Sequence, residues 1–306
     1  MKQTAFVFPG QGAQAVGMGK ELYEHFKQAR EVFEEANDTL RFSISKLCFE
    51  GPEETLKLTE NTQPAVLTAS IAALRVLQSE KGIEPKLTAG HSLGEYSALV
   101  ASGGLSFPEA VQTVRLRGRF MQEAVPVGEG TMAAVLGMDP EEVEKICEEA
   151  AEGEVLSPAN FNCPGQIVIA GHTKAVERGI ELVKKKGKKA MLLQVSAPFH
   201  SPLMKPAGVR LSETLDGITV QSLRVPVVTN VEAQVNTSSD RVKPLLVEQV
   251  SSPVRWEESM RRMIKEGIER ILEIGPGKVL SGLMKRIDSK VGTANLDDIE
   301  SLKKIV

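Results

Sequence analysis

The pentapeptide Gly90-His91-Ser92-Leu93-Gly94 restricts the fold of this chain most, because it has the form G-x-S-x-G. It follows the short run Lys86-Leu87-Thr88-Ala89 and precedes a stretch of helical character, residues 95–100. In that setting the pattern is typical of a nucleophile elbow, a sharp strand-to-helix turn that exposes the serine hydroxyl. The alternative is a chance match in a glycine-rich turn, but the flanking strand and helix favour the elbow. We therefore expect Ser92 to be a nucleophile, with nearby backbone N–H groups available to an oxyanion.

Composition excludes several classes of function. The chain has 306 residues, of which 42% are hydrophobic and 25% charged, and its net charge is -3. These values are ordinary for a globular protein with one large domain, or a large and a small one, and they do not indicate a nucleic-acid partner. No window approaches the roughly 20 apolar residues of a membrane-spanning helix, and the N-terminus lacks the apolar run of a signal peptide. The cysteines Cys48, Cys147 and Cys163 are odd in number and far apart, which favours a reducing, cytoplasmic location.

The first part of the chain alternates between strands and helices. Strands are predicted at residues 4–8 and 86–90, and helices at 20–36, from Pro64 to 79, from the elbow to 102, and at 108–124. This alternation predicts an α/β fold with a mostly parallel sheet. The same kind of pattern returns late in the chain, with strands at 225–231 and 270–274 and helices at 244–250, 255–265 and after Gly277.

The middle of the chain has a different rhythm. Strands are predicted at 131–137, 155–161, 166–170 and 190–195, and helices start at Asp139 and cover 172–186. The order β-α-β-β-α-β is that of a ferredoxin-like unit. We therefore predict that residues 127–195 form a small subdomain inserted into a large one, which consists of residues 1–126 and 196–306.

A nucleophilic serine needs a base, and the chain has four histidines. His25 falls on an amphipathic surface helix, and His172 lies at a strand-to-helix turn where capping is the simple interpretation. His91 adjoins Ser92, so its side chain is expected to point away from the hydroxyl. His200 lies between two prolines at the predicted subdomain junction, where pockets form. We therefore expect His200 to be the general base, with a polar junction histidine as the alternative.

The sequence alone does not identify the group that orients His200. Hydrolases with such an elbow usually use an Asp or Glu. The acids between Ser92 and His200 fall mainly on predicted helix surfaces, for example Glu141, Glu142 and Glu148. A backbone carbonyl can serve instead, because it accepts the Nδ1–H equally well.

Arg117 is the second strong indication. On the predicted helix 108–124 it shares the apolar face with Val114 and Met121, so it should point inward. An inward arginine keeps its charge and needs an anion. That anion is either a carboxylate of the protein, in a structural ion pair, or a substrate carboxylate held beside the serine.

The segment Gly10-Gln11-Gly12-Ala13-Gln14-Ala15 ends the first predicted strand. Pro9 and the lack of a ribose-binding acid argue against a dinucleotide site. Because the carboxyl ends of parallel strands share one edge of a sheet, this loop should lie beside the elbow. Its amides are therefore candidates for an oxyanion hole. No metal-binding motif occurs in the sequence, so no metal site is expected.

Taken together, these residues resemble those of malonyl-CoA:acyl-carrier-protein transacylases. The resemblance rests on motifs that occur in the same order over nearly the whole chain: Phe8-Pro9-Gly10-Gln11-Gly12, Gly90-His91-Ser92-Leu93-Gly94-Glu95, Arg117, Ala197-Pro198-Phe199-His200 and Gln249-Val250-Ser251-Ser252-Pro253-Val254-Arg255-Trp256. It implies an α/β-hydrolase-like large subdomain with a ferredoxin-like insert.

The resemblance also implies a reaction and its residues. Ser92 would take the malonyl group from malonyl-CoA as an ester, with His200 as base and the backbone carbonyl of Gln249 orienting His200. The amides of Gln11 and Leu93 would form the oxyanion hole. The second substrate would be the phosphopantetheine thiol of acyl carrier protein, and the product would supply fatty acid synthesis without a cofactor.

The resemblance also implies that Arg117 binds the malonyl carboxylate. This residue separates the alternatives, because a serine esterase or thioesterase has no general need to hold a carboxylate. A non-catalytic module that docks a carrier protein would need neither Ser92 nor His200.

Overall fold

The computed structural model describes residues 3–305, which form two β-sheets covered by helices. The strands are β1 Thr4–Phe8, β2 Leu87–Gly90, β3 Gly130–Leu136, β4 Leu156–Cys163, β5 Gln166–His172, β6 Lys189–Leu192, β7 Val227–Val228, β8 Val235–Asn236, β9 Arg270–Ile274 and β10 Gly292–Leu296. The α-helices are α1 Lys20–His25, α2 Lys27–Leu40, α3 Ile44–Glu50, α4 Glu53–Leu56, α5 Thr59–Lys81, α6 Gly94–Ala101, α7 Phe107–Glu123, α8 Pro140–Ala151, α9 Thr173–Lys185, α10 Lys205–Asp216, α11 Val242–Gln249, α12 Trp256–Lys265, α13 Val279–Ile287 and α14 Ile299–Lys304. Short 3₁₀ turns cover Pro202–Met204 and Ser239–Arg241.

The large sheet has six strands in the order β10-β9-β1-β2-β7-β8. All neighbours are parallel except β7 and β8, which pair antiparallel. Phe8 pairs with Gly90 at the carboxyl ends of β1 and β2. The loop after β1 and the turn after β2 therefore emerge side by side, at the edge where parallel α/β sheets bind their ligands.

The small sheet confirms the predicted ferredoxin-like unit. Its order is β4-β5-β3-β6, and every pair is antiparallel. Its first helix, α8, starts as expected, with Pro140 at the first position and a capping box between Asp139 and Glu142. All four strands lie between residues 130 and 192. The boundaries at 126/127 and 195/196 stay a prediction, and residues 1, 2 and 306 of the predicted large subdomain lie outside the described residues.

The start predicted for the helix at Pro64 is wrong. Helix α5 begins at Thr59, so Pro64 lies inside it. The carbonyl of Leu58 already accepts the N–H groups of Asn61 and Thr62, which closes the first turn before the proline is reached. Residues on almost every side of this helix are buried, and the helix packs against α2 and α7. Tertiary packing therefore outweighs the local preference of proline for a first turn.

Other differences are local. The helix predicted over 20–36 is two helices, because Phe26 has an extended backbone, with φ -122° and ψ 125°. The strand predicted at 225–231 is reduced to the two residues of β7. Helices α3, α4, α10 and α14 and strands β8 and β10 were not predicted.

None of the helices within residues 3–305 combines the length and the apolarity needed to cross a membrane. The three cysteines are buried and free. No cluster of three or more potential metal ligands occurs in this part of the chain.

Candidate active site

Ser92 lies at the apex of a strained turn between β2 and α6. Its φ is +54°, in the left-handed region that residues other than glycine seldom adopt. Gly90 and Gly94 allow the backbone of this turn to pack closely on itself and on the end of β1. A Cβ on Gly90 would lie 1.8 Å from the backbone carbon of Gly94, and a Cβ on Gly94 would lie 2.2 Å from the carbonyl oxygen of Phe8. The turn therefore has the strand–turn–helix geometry of a nucleophile elbow.

His200 is placed to accept the proton of Ser92. Its Nε2 lies 2.7 Å from Ser92 Oγ, and its Nδ1 lies 2.8 Å from the backbone carbonyl oxygen of Gln249. A carbonyl can only accept, so Nδ1 carries the hydrogen and Nε2 is the free base. Burial, and next the positive charge of Arg117, lower the pKa of His200 to about 3, so the ring is neutral near pH 7.

The other histidines have different surroundings. His91 Nε2 lies 2.9 Å from Asn162 Oδ1, and its ring packs against Trp256, so it points away from the Ser92 hydroxyl as expected. His25 is exposed. His172 occupies the N-cap position of α9 but does not cap it, which corrects the simple interpretation. Its Nδ1 instead accepts the N–H of Val155, which ties the start of α9 to the residue that precedes β4.

Arg117 is buried, with 1% of its surface exposed, and points inward as predicted. Its guanidinium donates to Gln63 Oε1 at 2.8 Å, Gln249 Oε1 at 2.9 Å and Ser92 Oγ at 3.1 Å. None of these partners is a carboxylate, and its Nε has no hydrogen-bond partner among residues 3–305. The protein thus supplies neutral oxygens to a buried cation, which leaves the site suited to an anionic ligand.

Gln249 does more than the resemblance implied. Its backbone carbonyl oxygen accepts a hydrogen bond from His200 Nδ1, and its side-chain oxygen accepts one from the Arg117 guanidinium. Its Nε2 donates to Glu95 Oε2 at 2.7 Å and to the carbonyl of Ser92 at 3.0 Å. The residue therefore joins the elbow, the base and the guanidinium in one network.

Asn230 and Glu95 complete this network. Asn230 was not predicted, and Glu95 was named only as part of the family motif, without a role. Asn230 Oδ1 accepts the N–H of Ser92 at 2.7 Å, and its Nδ2 donates to the carbonyl of Gly90 at 2.7 Å. Glu95 Oε2 accepts the N–H of Asn230 at 3.1 Å. A signal for Glu95 existed, because it is the only charged residue in α6, whose other residues are apolar or small. Asn230 lies 138 residues from Ser92 and left no such signal.

Gln11 and Leu93 line the same cavity as Ser92 and His200. Neither backbone N–H is used in a hydrogen bond within the described part of the chain. The side chain of Gln11 fixes its position, because its Nε2 donates a hydrogen bond to Thr59 Oγ1 at 3.3 Å. Both amides are therefore free to donate to a ligand oxygen.

The cavity itself has a volume of about 120 Å³ and lies between the two sheets. The large sheet's side contributes the elbow, Gln11, Gln63 and Arg117, and the small sheet's side contributes Met132 and Asn160. Leu193, Val195 and Phe199 also line the cavity, and they lie in the segment that returns from the small sheet to His200. The arrangement brings a nucleophile, a neutral base, free amides and a buried cation together, which suits transfer of an anionic acyl group.

Comparison with known proteins agrees with this chemistry. Residues 5–299 match the family described as acyl transferase domain. A malonyl CoA-acyl carrier protein transacylase from Bacillus subtilis (strain 168) is 53% identical over 305 residues, which is 99% of this chain and 96% of that protein. The protein of the same name from Escherichia coli (strain K12) is 49% identical over 299 residues, or 97% of each chain.

Solved structures agree as well. The malonyl CoA-acyl carrier protein transacylase of Clostridium perfringens has a TM-score of 0.96 and 42% identity, covering 99% of this chain and 95% of that one. A malonyl-transacylase in complex with its type II PKS acyl-carrier protein has a TM-score of 0.96 and 46% identity, covering 99% and 98% of the two chains.

Proposed function

The chain belongs to the family of malonyl CoA-acyl carrier protein transacylases, and we propose that it carries out this transfer through an ester on Ser92. It is an acyltransferase that moves the malonyl group from malonyl-CoA to acyl carrier protein, as the sequence resemblance indicated. We further propose that the product supplies fatty acid synthesis. The absence of a cofactor stays a prediction.

In the first half-reaction, Ser92 Oγ attacks the thioester carbonyl carbon of malonyl-CoA while His200 Nε2 accepts its proton. The Gln249 carbonyl stabilises the imidazolium through the Nδ1–H. The free N–H groups of Gln11 and Leu93 donate to the oxyanion. As the tetrahedral intermediate collapses, the C–S bond breaks and the proton on His200 passes to the departing sulfur, which leaves as the CoA thiol.

The observation that carries the proposal is the contact between Arg117 and the nucleophile. Arg117 NH2 lies 3.1 Å from Ser92 Oγ. In a malonyl ester only one methylene separates the ester carbon from the carboxylate, so an acyl group on Ser92 places its carboxylate within reach of the guanidinium. An acyl group without a carboxylate leaves that cation with its neutral partners alone.

In the second half-reaction, the phosphopantetheine thiol of acyl carrier protein replaces the CoA thiol. His200 takes its proton, the thiolate attacks the Ser92 ester, and the serine leaves with the proton returned by His200. Two thiols use one site in turn, so the kinetics are expected to be ping-pong.

The test is the intact mass of the enzyme after mixing with malonyl-CoA, followed by a chase with holo acyl carrier protein. We expect a malonyl adduct on Ser92 that the carrier protein removes as malonyl thioester. An adduct that releases free malonate, with no malonyl thioester formed, would instead identify the thioesterase alternative. No adduct would leave only a docking role.

A further inference from the structure

Glu95 is a buried carboxyl beside the site that the proposed mechanism does not use. Only 3% of its surface is exposed. Its Oε2 accepts hydrogen bonds from Gln249 Nε2 at 2.7 Å and from the N–H of Asn230 at 3.1 Å. A buried carboxylate is costly unless a positive charge compensates it, so its presence requires an explanation.

The compensating charge is Arg117, reached through one side-chain amide. Gln249 presents its Nε2 to Glu95 and its Oε1 to Arg117, at 2.7 Å and 2.9 Å. If the amide were rotated by half a turn, its NH₂ would face the guanidinium and its oxygen would face the carboxylate. Both charges therefore favour the same orientation of the amide. The amide also separates the two charges, so that the guanidinium keeps donors for another anion.

We infer that Glu95 is a built-in countercharge for Arg117, which keeps the empty pocket electrically balanced and so weakens its hold on the malonyl carboxylate. The inference rests on the proposed function. A ping-pong transferase must release the acyl group as readily as it takes it, so a pocket that held the carboxylate too tightly would trap the malonyl ester. Glu95 is thus a positioning residue that sets how stable this ester is.

The surroundings of Glu95 agree with this role. Arg117, on α7, is the charged group that acts on it, and Tyr96, next to it on α6, is a phenol whose pKa burial raises. The other residues that line a small cavity beside Glu95 are uncharged: Leu99, Val227, Thr229, Asn236, Val242 and Leu245. Burial raises the pKa of Glu95 to about 7, while its hydrogen bonds and Arg117 act in the opposite direction.

The experiment measures the equilibrium constant for acylation of Ser92, because a rate would also depend on substrate binding and on the transition state. Enzyme is mixed with malonyl-CoA and free CoA at fixed ratios, and the acylated fraction is read by intact mass. Acetyl-CoA with CoA serves as the reference pair, since its ester carries no carboxylate. Glu95→Gln keeps the acceptor oxygen and removes the charge, and Glu95→Asp is the matched control that keeps the charge.

At pH 8.5, where Glu95 is mainly ionised, we expect Glu95→Gln to raise the equilibrium constant for malonylation roughly tenfold, because the substitution removes a unit charge that repels the malonyl carboxylate at an effective dielectric of about 20. The constant for acetylation should stay within about twofold, and Glu95→Asp should resemble the unaltered enzyme. An unchanged malonylation constant, or an equal shift for both thioesters, would overturn the inference. If the unaltered enzyme forms no malonyl ester at all, it is the proposed function that fails.

A second measurement needs no variant. As the pH falls through about 7, where Glu95 takes up a proton, the ratio of the malonyl to the acetyl constant should rise. His200 stays neutral in this range, because its pKa is lowered to about 3. A ratio that is constant between pH 6 and 8.5, measured by the same mass assay, contradicts the countercharge role even if Glu95→Gln does not fold.

Discussion

Ser92 Oγ and His200 Nε2 lie 2.7 Å apart although 108 residues separate them in the chain. Both residues have a positive φ, +54° for Ser92 and +58° for His200. Such backbone conformations persist only when the surroundings fix them. The dyad therefore depends on two strained turns, one after β2 and one where the chain returns from the small sheet.

Ser92→Ala should abolish the malonyl adduct while the melting temperature stays nearly unchanged, because the hydroxyl is the only group removed. Ser97→Ala is a suitable control, since Ser97 lies in helix α6, directly after the turn that holds Ser92, and its hydroxyl is buried without a partner among residues 3–305. The control should acylate normally in the same mass assay. An adduct that persists on Ser92→Ala would place the nucleophile elsewhere, with Cys163 the first residue to examine.

His200→Ala should slow acylation of Ser92 by roughly 10²–10⁴-fold, which is the usual contribution of a positioned base. His91→Ala is the matched control, because His91 adjoins the serine but bonds to Asn162. Single-turnover acylation with malonyl-CoA compares the two. If His91→Ala shows the large loss and His200→Ala the small one, the base has been assigned to the wrong histidine.

The pH dependence of kcat/KM should lack an acid limb near pH 6.5. The base works when deprotonated, so the rate falls only where His200 gains a proton. Burial and Arg117 lower the pKa of His200 to about 3, which moves this fall well below the ordinary histidine range. A profile for kcat/KM with acetyl-CoA from pH 4.5 to 8 tests this. A midpoint at pH 6–7 that His200→Ala removes would contradict the lowered pKa.

Gly94→Ala should destabilise the fold by at least about 3 kcal/mol, because the new Cβ would meet backbone and not a movable side chain. That Cβ would lie 2.2 Å from the carbonyl oxygen of Phe8. Gly282→Ala, in helix α13, is the opposite case, since its Cβ would meet nothing within 4 Å. It should raise the stability by about 0.5–1 kcal/mol. Thermal or urea unfolding of both variants checks the pair.

Asn230→Ala should reduce both stability and acylation rate. The change leaves the N–H of Ser92 and the carbonyl of Gly90 without their side-chain partners. Two lost buried hydrogen bonds cost about 2–4 kcal/mol. Asn236→Ala loses two local hydrogen bonds to the backbone of Ser238 and none to the elbow residues Gly90 and Ser92, so it should lower the melting temperature without slowing acylation. Equal effects of both variants on the rate would remove any special role of Asn230 at the elbow.

The sequence predicted those parts of the molecule that local patterns encode. The elbow, the helix start at Asp139 and the order of elements in the small sheet each depend on residues close together in the chain. Pro64 shows the limit of such reasoning, because burial on almost every side of α5 overrides a local helix-start signal. Strand β10 was missed because it is mostly half-buried and its residues, Gly292–Leu296, do not form a continuous apolar run.

The candidate site was also predictable only in part. The structure brings together Ser92, Arg117 and His200, which were argued from the residue patterns, with three residues that only the family resemblance named, Gln11, Leu93 and Gln249. Their roles stay predictions until the variants are measured. Asn230 was not predicted, because a hydrogen bond to a residue 138 positions away leaves no spacing in the sequence. Glu95 was part of the family motif, but its hydrogen bonds in the network were not predicted.

Arg117→Ala should change specificity more than reactivity. If the guanidinium pairs with the malonyl carboxylate, its removal leaves that anion unpaired in a buried site, which costs about 2–5 kcal/mol. Acetyl-CoA has no carboxylate, so its transfer should fall little or even rise, and the ratio of malonyl to acetyl kcat/KM should drop by about two orders of magnitude or more. Arg115→Ala, two residues along the same helix and partly exposed, is the control and should leave the ratio unchanged. A merely structural Arg117 would instead lower the melting temperature and both activities alike. An unchanged ratio would end the carboxylate-binding role and favour the esterase alternative.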